Sequence, residues 1–320
     1  MVERLTETVV PVGGRSILTL KEWTPSEIRG ILTTAAWMKA NPKVAHVRYA
    51  LAGKSVAMIF ELPSTRTRVS FQVAIQSLGA APVILDWGES QLGRGEPIAD
   101  TARVMSRYVD GIVIRCRSHQ TVQEFARWAS VPIFNALTDK AHPFQALADA
   151  LTLWECQKRL SGLKFAYLGD GSNNMALSYL TIGAKLGMQV TIATAKGYWP
   201  AAEVVDWARE EALVTGGAIT VTDDPEQAVF GVDAVATDVF VSMGEPGDPA
   251  AKQRDLMPYQ VNAKTMNLAK PEAVFLHCLP AHRDEEVTDE VIEGPHSVVW
   301  DQAENRLYVQ KAALLQTLGD

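Results

Sequence analysis

The chain has 320 residues, a formal net charge of −7, 47% hydrophobic and 21% charged residues. The length exceeds one ordinary core, so two domains are expected, and the balance of apolar and charged residues is that of a globular protein. An acidic chain gives no support for binding nucleic acid or an acidic membrane, so an anion ligand is expected to be small and held in a local positive pocket.

Residues 1–11 alternate charged, Thr and Val residues without the apolar centre of a signal peptide, and no run approaches a membrane span. In the first half, strands are predicted at 55–60, 82–85, 111–114 and 131–134. The first of them gives way to Ser64-Thr65-Arg66-Thr67-Arg68. Ser64 reads as the N-cap of a helix with Val69, Val73 and Gln76 along one side and Phe71, Ile75 and Leu78 on the apolar face. Its first-turn N–H groups, the positive end of the helix dipole, two hydroxyls and two guanidinium groups can then surround a phosphate-sized ligand. The alternative is a capped surface helix with solvated arginines. Arg115 follows strand 111–114, at the edge where parallel sheets bind ligands, although an Arg there is often only a surface residue. His142 precedes Pro143, a residue suited to a first helical turn, and Phe144, Leu147, Leu151 and Trp154 share a face. Residues 143–157 are therefore expected to be a rigid connector between two domains.

In the second half, strands are predicted at 164–168, 189–193, 218–221, 233–237, 273–277 and 297–300. Strand-helix alternation of this kind implies parallel sheets covered on both faces. Gly169-Asp170-Gly171 suggests a dinucleotide loop, but Asn174 stands where the third glycine of G-x-G-x-x-G belongs. Asn174 instead opens a helix where its amide can meet both polar groups of an amino acid. Asp238 ends strand 233–237 and can pair with an ammonium group. Residues 241–258, rich in Gly, Pro, Asp and Glu, read as a long mobile loop beside the site. The last helix is expected at about 303–318. Cys116, Cys156 and Cys278 are too few and scattered for a disulfide framework or zinc cluster, which points to a reducing, cytoplasmic setting.

Several motifs occur in one order: Ser64-Thr65-Arg66-Thr67-Arg68, Gln91-Leu92-Gly93-Arg94-Gly95-Glu96, Asp100-Thr101-Ala102-Arg103, Arg115, and His142-Pro143-Phe144-Gln145. After them come Gly169 to Asn174, Asp238 with Ser242-Met243-Gly244, His277-Cys278-Leu279-Pro280, and Ala303-Glu304-Asn305-Arg306. From about residue 19 to 315 the chain resembles the aspartate/ornithine carbamoyltransferase family. Its Ser-Met-Gly and His-Cys-Leu-Pro elements are similar to those of the ornithine branch. The resemblance implies an α/β fold of two doubly wound parallel-sheet domains joined by helices. Residues 1–147 would bind carbamoyl phosphate, 148–302 would bind ornithine, and helix 303–320 would pack back on the first domain.

Carbamoyl transfer needs phosphate neutralisation, carbonyl polarisation and a neutral amine held at the carbon. The resemblance implies Arg66, Arg115 and the N–H groups of Ser64, Thr65, Arg66 and Thr67 for the phosphate. It implies His142 as a donor to the carbonyl oxygen and Gln145 at the carbamoyl group, with Arg306 closing the site. The Leu279 carbonyl would meet the carbamoyl NH2, and Gln91 would reach carbamoyl phosphate from a neighbouring subunit of a homotrimer. For L-ornithine it implies Asn174, Asp238, Ser242 and the Met243 N–H. A buried cysteine is usually a small hydrophobe, but at a strand end beside Asp238 the Cys278 sulfur can accept a hydrogen bond from the attacking amine. No covalent thiol intermediate, cofactor or metal is expected. Leu62 and Pro63 stand where many ornithine enzymes have a lysine, Gln72 replaces a common glutamate, and Phe240 a usual Trp. The rivals are a sister enzyme acting on aspartate, putrescine or an acylated ornithine, and a non-catalytic paralogue that binds an anion.

Overall fold

The structure is a computed structural model that describes residues 13–42, 47–242 and 247–319. The chain forms two compact units, one running to Ala148 and resuming at Glu304, the other spanning Asp149–Ala303. In the first unit, strands β1 (Ser55–Phe60), β2 (Ala81–Asp86), β3 (Gly111–Arg115) and β4 (Ile133–Leu137) form one sheet in the order β2-β1-β3-β4. Every pairing in it is parallel. In the second unit, β5 (Lys164–Leu168), β6 (Gln189–Ala193), β7 (Ala218–Thr222), β8 (Ala234–Thr237) and β9 (Val274–His277) form a parallel sheet in the order β7-β6-β5-β8-β9.

The continuous apolar runs of the central strands follow from burial on both faces. Val56, Ala57, Met58, Ile112, Val113 and Ile114 in the first sheet are fully buried, as are Ala166, Tyr167, Leu168, Ala234, Val235 and Ala236 in the second. Each fully buried large aliphatic or aromatic side chain contributes about 1.5–3 kcal/mol by leaving water. The strand order reverses between β1 and β3 in the first sheet and between β5 and β8 in the second. Ligands of open parallel sheets lie outside the carboxyl ends of the strands at such a reversal, because the flanking connections leave there in opposite directions. Ser64 follows β1 and Arg115 ends β3, while Asn174 follows β5, Asp238 follows β8 and Cys278 follows β9.

Helix Thr65–Ser77 starts as expected, with Ser64 in extended conformation and its hydroxyl accepting from Thr67 N–H at 3.3 Å. Phe71, Ile75 and Leu78 are buried, whereas Val69 and Val73 are exposed. Phe71 meets Phe144 edge to face, with ring centres 5.0 Å apart at 80°, a pairing worth about 0.5–1.5 kcal/mol beyond its area. That contact packs helix Thr65–Ser77 against the first turn of helix Pro143–Gln157.

Three sequence expectations change. Residues 297–300 are not a strand: Ser297 makes an isolated bridge with Phe275, and helix Val299–Leu318 begins at once, earlier than the 303 expected. Val298, Val299 and Trp300 look strand-like, but Val299 is buried and Trp300 exposed as one turn of an amphipathic helix. The predicted 131–134 strand lies at Ile133–Leu137. The 241–258 segment is not all loop, since Pro249–Leu256 is a helix capped by the Asp248 carboxylate and opened by a proline, followed by a 3-10 turn at Met257–Tyr259. In keeping with the missing third glycine, Gly171 serves packing: a Cβ there would lie 2.7 Å from Thr194 Cγ2 and 2.8 Å from the Tyr198 carbonyl oxygen.

Candidate functional site

In the first unit, the side chains converge on one hydroxyl. Thr67 is fully buried in the first turn of its helix, and its Oγ1 accepts from Arg306 Nη2 at 2.6 Å and from Arg115 Nη1 at 3.4 Å. Arg306 comes from the last helix, which returns to this unit, and is 3% exposed. Arg115 is aimed by an irregularity: the β3–β4 register shifts between Ile114 and Arg115, and such bulges redirect a side chain at a sheet edge. His142 is buried, and its carbonyl accepts from the N–H groups of Gln145 and Ala146 at 3.1 Å each as the helix starts. Burial, then the charges of Arg306 and Arg115, hold the His142 imidazole well below the usual histidine range. At neutral pH His142 is thus an uncharged ring that can donate one N–H. Gln145 is fully buried one turn along.

Not every predicted residue joins this cluster. Arg68, counted among the guanidinium groups at the helix start, lies 3.7 Å from Asp86 and stacks on the Phe60 ring at 5.2 Å. The side chains that gather at Thr67 come instead from β3 and from the distant final helix. Ser64 and Arg66 are half-buried in the first turn, and Thr65 is exposed. Gln91 is exposed and precedes a 3-10 turn at Leu92–Arg94.

The second unit gathers its predicted residues around a carboxylate. Asp238 Oδ1 accepts from Cys278 Sγ at 3.1 Å and from Val239 N–H at 2.8 Å. The thiol donates to this carboxylate, and its sulfur keeps the lone pairs with which a thiol accepts from an amine. Burial raises the Asp238 carboxyl above the usual range, against the lowering effects of His277, the thiol and the Val239 amide. Asn174 is half-buried as the first residue of helix Asn174–Leu186, which Asn173 caps by accepting from Ala176 N–H at 2.9 Å. Ser242 is half-buried, and Met243 lies outside the described residues.

Sequence reasoning missed the side chains that hold Cys278. His277 Nδ1 accepts from Leu279 N–H at 2.9 Å, so the ring carries its proton on Nε2, 3.1 Å from Glu286 Oε1. Glu286 also takes His282 N–H at 2.6 Å, and both His277 and Glu286 are buried. Gln302 accepts from His277 N–H at 2.9 Å and donates to Asp149 at 2.7 Å, and Asp149 takes the Tyr179 hydroxyl at 2.7 Å. These partners bend the chain after β9 so that Leu279 adopts a φ of 58°, a region that favours glycine. Nothing in the local spacing of His277, Glu286 and Gln302 announces this network. Asp238, His277 and Cys278 offer ligand atoms within 4.8 Å of one another. Both His277 nitrogens are nevertheless engaged, by Leu279 and Glu286, while the Cys278 thiol donates to Asp238.

The three cysteines differ sharply: Cys116 is buried with its thiol pushed up to about 12, chiefly by burial, Cys156 is exposed and Cys278 half-buried. Among the described residues, no helix is long and apolar enough to cross a membrane.

Two parallel α/β units with polar side chains collected at the strand-order reversals define the class of α/β enzymes that bind small ligands at sheet edges. Comparison with known proteins narrows it. Residues 15–155 match the aspartate/ornithine carbamoyltransferase carbamoyl-P binding domain, and residues 161–317 match the Asp/Orn binding domain of the same family. The chain belongs to the aspartate/ornithine carbamoyltransferase family. It is 51% identical over 314 residues to an ornithine carbamoyltransferase of Halalkalibacterium halodurans, covering 98% of each chain. To the anabolic ornithine carbamoyltransferase of Pyrococcus furiosus it is 48% identical over 311 residues, covering 97% of this chain and 98% of that one. A solved ornithine carbamoyltransferase structure from Pyrococcus furiosus is similar over 97% of this chain and 99% of its own, with a TM-score of 0.93 and 48% identity.

Proposed function

We propose that the protein transfers the carbamoyl group of carbamoyl phosphate to the side-chain amine of L-ornithine, giving L-citrulline and phosphate, as a step of arginine biosynthesis. The observation that carries this reading is the meeting of Arg115 and Arg306 at Thr67 beside an uncharged, buried His142. Positive charge concentrated at a helix N-terminus suits a phosphate dianion that gains charge as it leaves. Ser64, Thr65, Arg66, Thr67 and Arg115 hold the phosphate. His142 donates to the carbamoyl oxygen, which becomes negative in the tetrahedral transition state, a bond worth about 2.7–4 kcal/mol. An imidazole kept neutral at pH 7 donates that hydrogen bond without adding a further positive charge beside the arginines. Gln145, Arg306 and the Leu279 carbonyl orient the carbamoyl group.

The ornithine α-ammonium pairs with Asp238, and its α-carboxylate meets Ser242 and the Met243 N–H, with Asn174 bridging both. The side-chain amine starts near the lysine pKa of about 10.4 and must lose a proton before it attacks. Cys278 orients that amine and assists the loss; the amine attacks the carbamoyl carbon directly, so no thioester forms. The two domains are 1–147, with the C-terminal residues 303–320 returning to it, and 148–302. The chain works in the cytoplasm as a homotrimer in which Gln91 reaches the neighbouring subunit's carbamoyl phosphate. No cofactor is required.

A citrulline assay with carbamoyl phosphate and four acceptors tests the reaction. Ornithine is expected to react far faster than acetylornithine, putrescine or aspartate, and preference for any of these three would replace the acceptor while leaving the family unchanged. A wholly inactive protein would favour the anion-binding paralogue.

A further inference from the structure

Asp170 and Lys252 form a buried ion pair that the proposed mechanism leaves unused. Lys252 Nζ lies 2.6 Å from Asp170 Oδ2, and the two residues are 7% and 2% exposed. The other Asp170 oxygen accepts from Ser172 N–H at 2.8 Å and Ser172 Oγ at 2.7 Å, fixing the turn that leads to Asn174. Lys252 sits one turn before the buried Leu256, on the same face of helix Pro249–Leu256. That helix follows the segment carrying Ser242 and Met243. Its neighbour Asp255 accepts from the Tyr198 hydroxyl at 3.0 Å, and the Tyr198 ring centre lies 5.6 Å from the Lys252 ammonium.

We infer that the Asp170–Lys252 pair is a positioning device: it ties the helix beyond Ser242 and Met243 to the turn carrying Asn174, and so sets the affinity for ornithine without touching it. The inference rests on the proposed ornithine site. Desolvating two charges is costly, and a buried ion pair is commonly no more stabilising than well-packed apolar side chains of similar volume. Stability alone therefore does not call for this pair. Its charge-assisted bonds are directional, and they join two segments 82 positions apart in sequence, one leading into Asn174 and the other following Ser242, two residues of the proposed amino-acid clamp.

Lys252→Met and the double variant Asp170→Asn with Lys252→Met, made in the whole chain, test this. Lys252→Met is expected to raise KM for ornithine by about tenfold or more while KM for carbamoyl phosphate stays within about twofold. Deuterium uptake should rise both in 249–256 and in 169–176. The double variant leaves no buried charge unpaired, so it should regain melting temperature yet keep the raised ornithine KM. Restoration of that KM in the double variant, an equal rise of both KM values, or extra uptake confined to 249–256 would each overturn the inference. Hydrogen exchange reads the tether without any reaction. If the wild-type protein made no citrulline, the functional reading would fall, and uptake at 169–176 would still decide whether the pair joins the two segments.

Discussion

Around Thr67 the first unit gathers positive charge, with two guanidinium groups on one hydroxyl and an imidazole that burial, aided by those charges, keeps unprotonated. Around Asp238 the second unit holds a single carboxylate in a buried setting, satisfied by a thiol and a backbone N–H, that resists ionisation more than a free carboxyl would. In the proposed function the first arrangement takes an anion, and the second an ammonium group whose arrival completes the pairing. One cluster uses two long, strongly basic side chains delivered by two separate elements to a hydroxyl on a third. The other uses short side chains on adjacent strand ends, held by a second layer of buried polar groups. Charge that must be concentrated needs a shared anchor, whereas charge that must be kept poised needs a dry and well-bonded surrounding.

The largest break in this comparison is expected on the cationic side. Arg66→Ala and Arg115→Ala should each lower kcat/KM for carbamoyl phosphate by about a thousandfold, roughly 4 kcal/mol of transition-state binding, while circular dichroism stays native. Near wild-type kinetics in either variant would remove the phosphate assignment.

Next comes Asp238→Asn, which should raise KM for ornithine about thirtyfold at every pH, or ~2 kcal/mol, because the charge paired with the α-ammonium is gone. The same change should raise the melting temperature at pH 7. An unfolded carboxyl ionises near pH 3.9 and the buried one at higher pH, so the folded state binds more protons in between and stability falls as pH rises through that window. Asparagine escapes this loss and keeps an oxygen for Val239 and Cys278. A less stable variant at pH 7 would show that the carboxylate is not strained by burial.

A smaller effect, about tenfold in kcat/KM for ornithine, is expected for Cys278→Ser, together with a changed shape of the pH–rate profile. Solvent base can take over part of the proton removal at raised pH. Complete inactivity would instead indicate a covalent thiol, and an unchanged profile would sever Cys278 from the amine. The smallest effect concerns stability and His142. Its folded pKa is depressed, so below about pH 6.5 the unfolded chain binds the extra proton and wild-type stability should decline toward pH 5. In His142→Asn that part of the slope should vanish, as measured by denaturant melts at several pH values.

How much of this was legible in the sequence differs between backbone and side chain. The alternation of apolar strands and helices gave both sheets, because burial on two faces leaves a continuous apolar run that composition displays directly. Segment 297–300 misled because β-branched and aromatic residues also open an amphipathic helix, and only the buried-exposed sequence of Val299 and Trp300 tells them apart. Asp248-Pro249 carried a start signal for the helix hidden in 241–258 that an eye on Gly and Pro content passes over. In the candidate site, Ser64 was readable as a cap because capping is local. Arg68 was not readable as an outsider, since its partner Asp86 is set by β1–β2 pairing. The aim of Arg115 depends on a register shift, and the support of Cys278 depends on Glu286 and Gln302, which only tertiary packing brings to His277.

The crowding at Gly171 bears on how such chains can be repurposed. Changing Asn174 to glycine would spell the dinucleotide fingerprint in full, yet it would not create a nucleotide site. The second glycine of that fingerprint exists so that a pyrophosphate can approach the backbone. Here the space beside Gly171 already belongs to Thr194, Tyr198 and Pro200. Converting this loop would require clearing a neighbouring strand connection as well as rewriting that one letter, so no single substitution turns it into a nucleotide pocket.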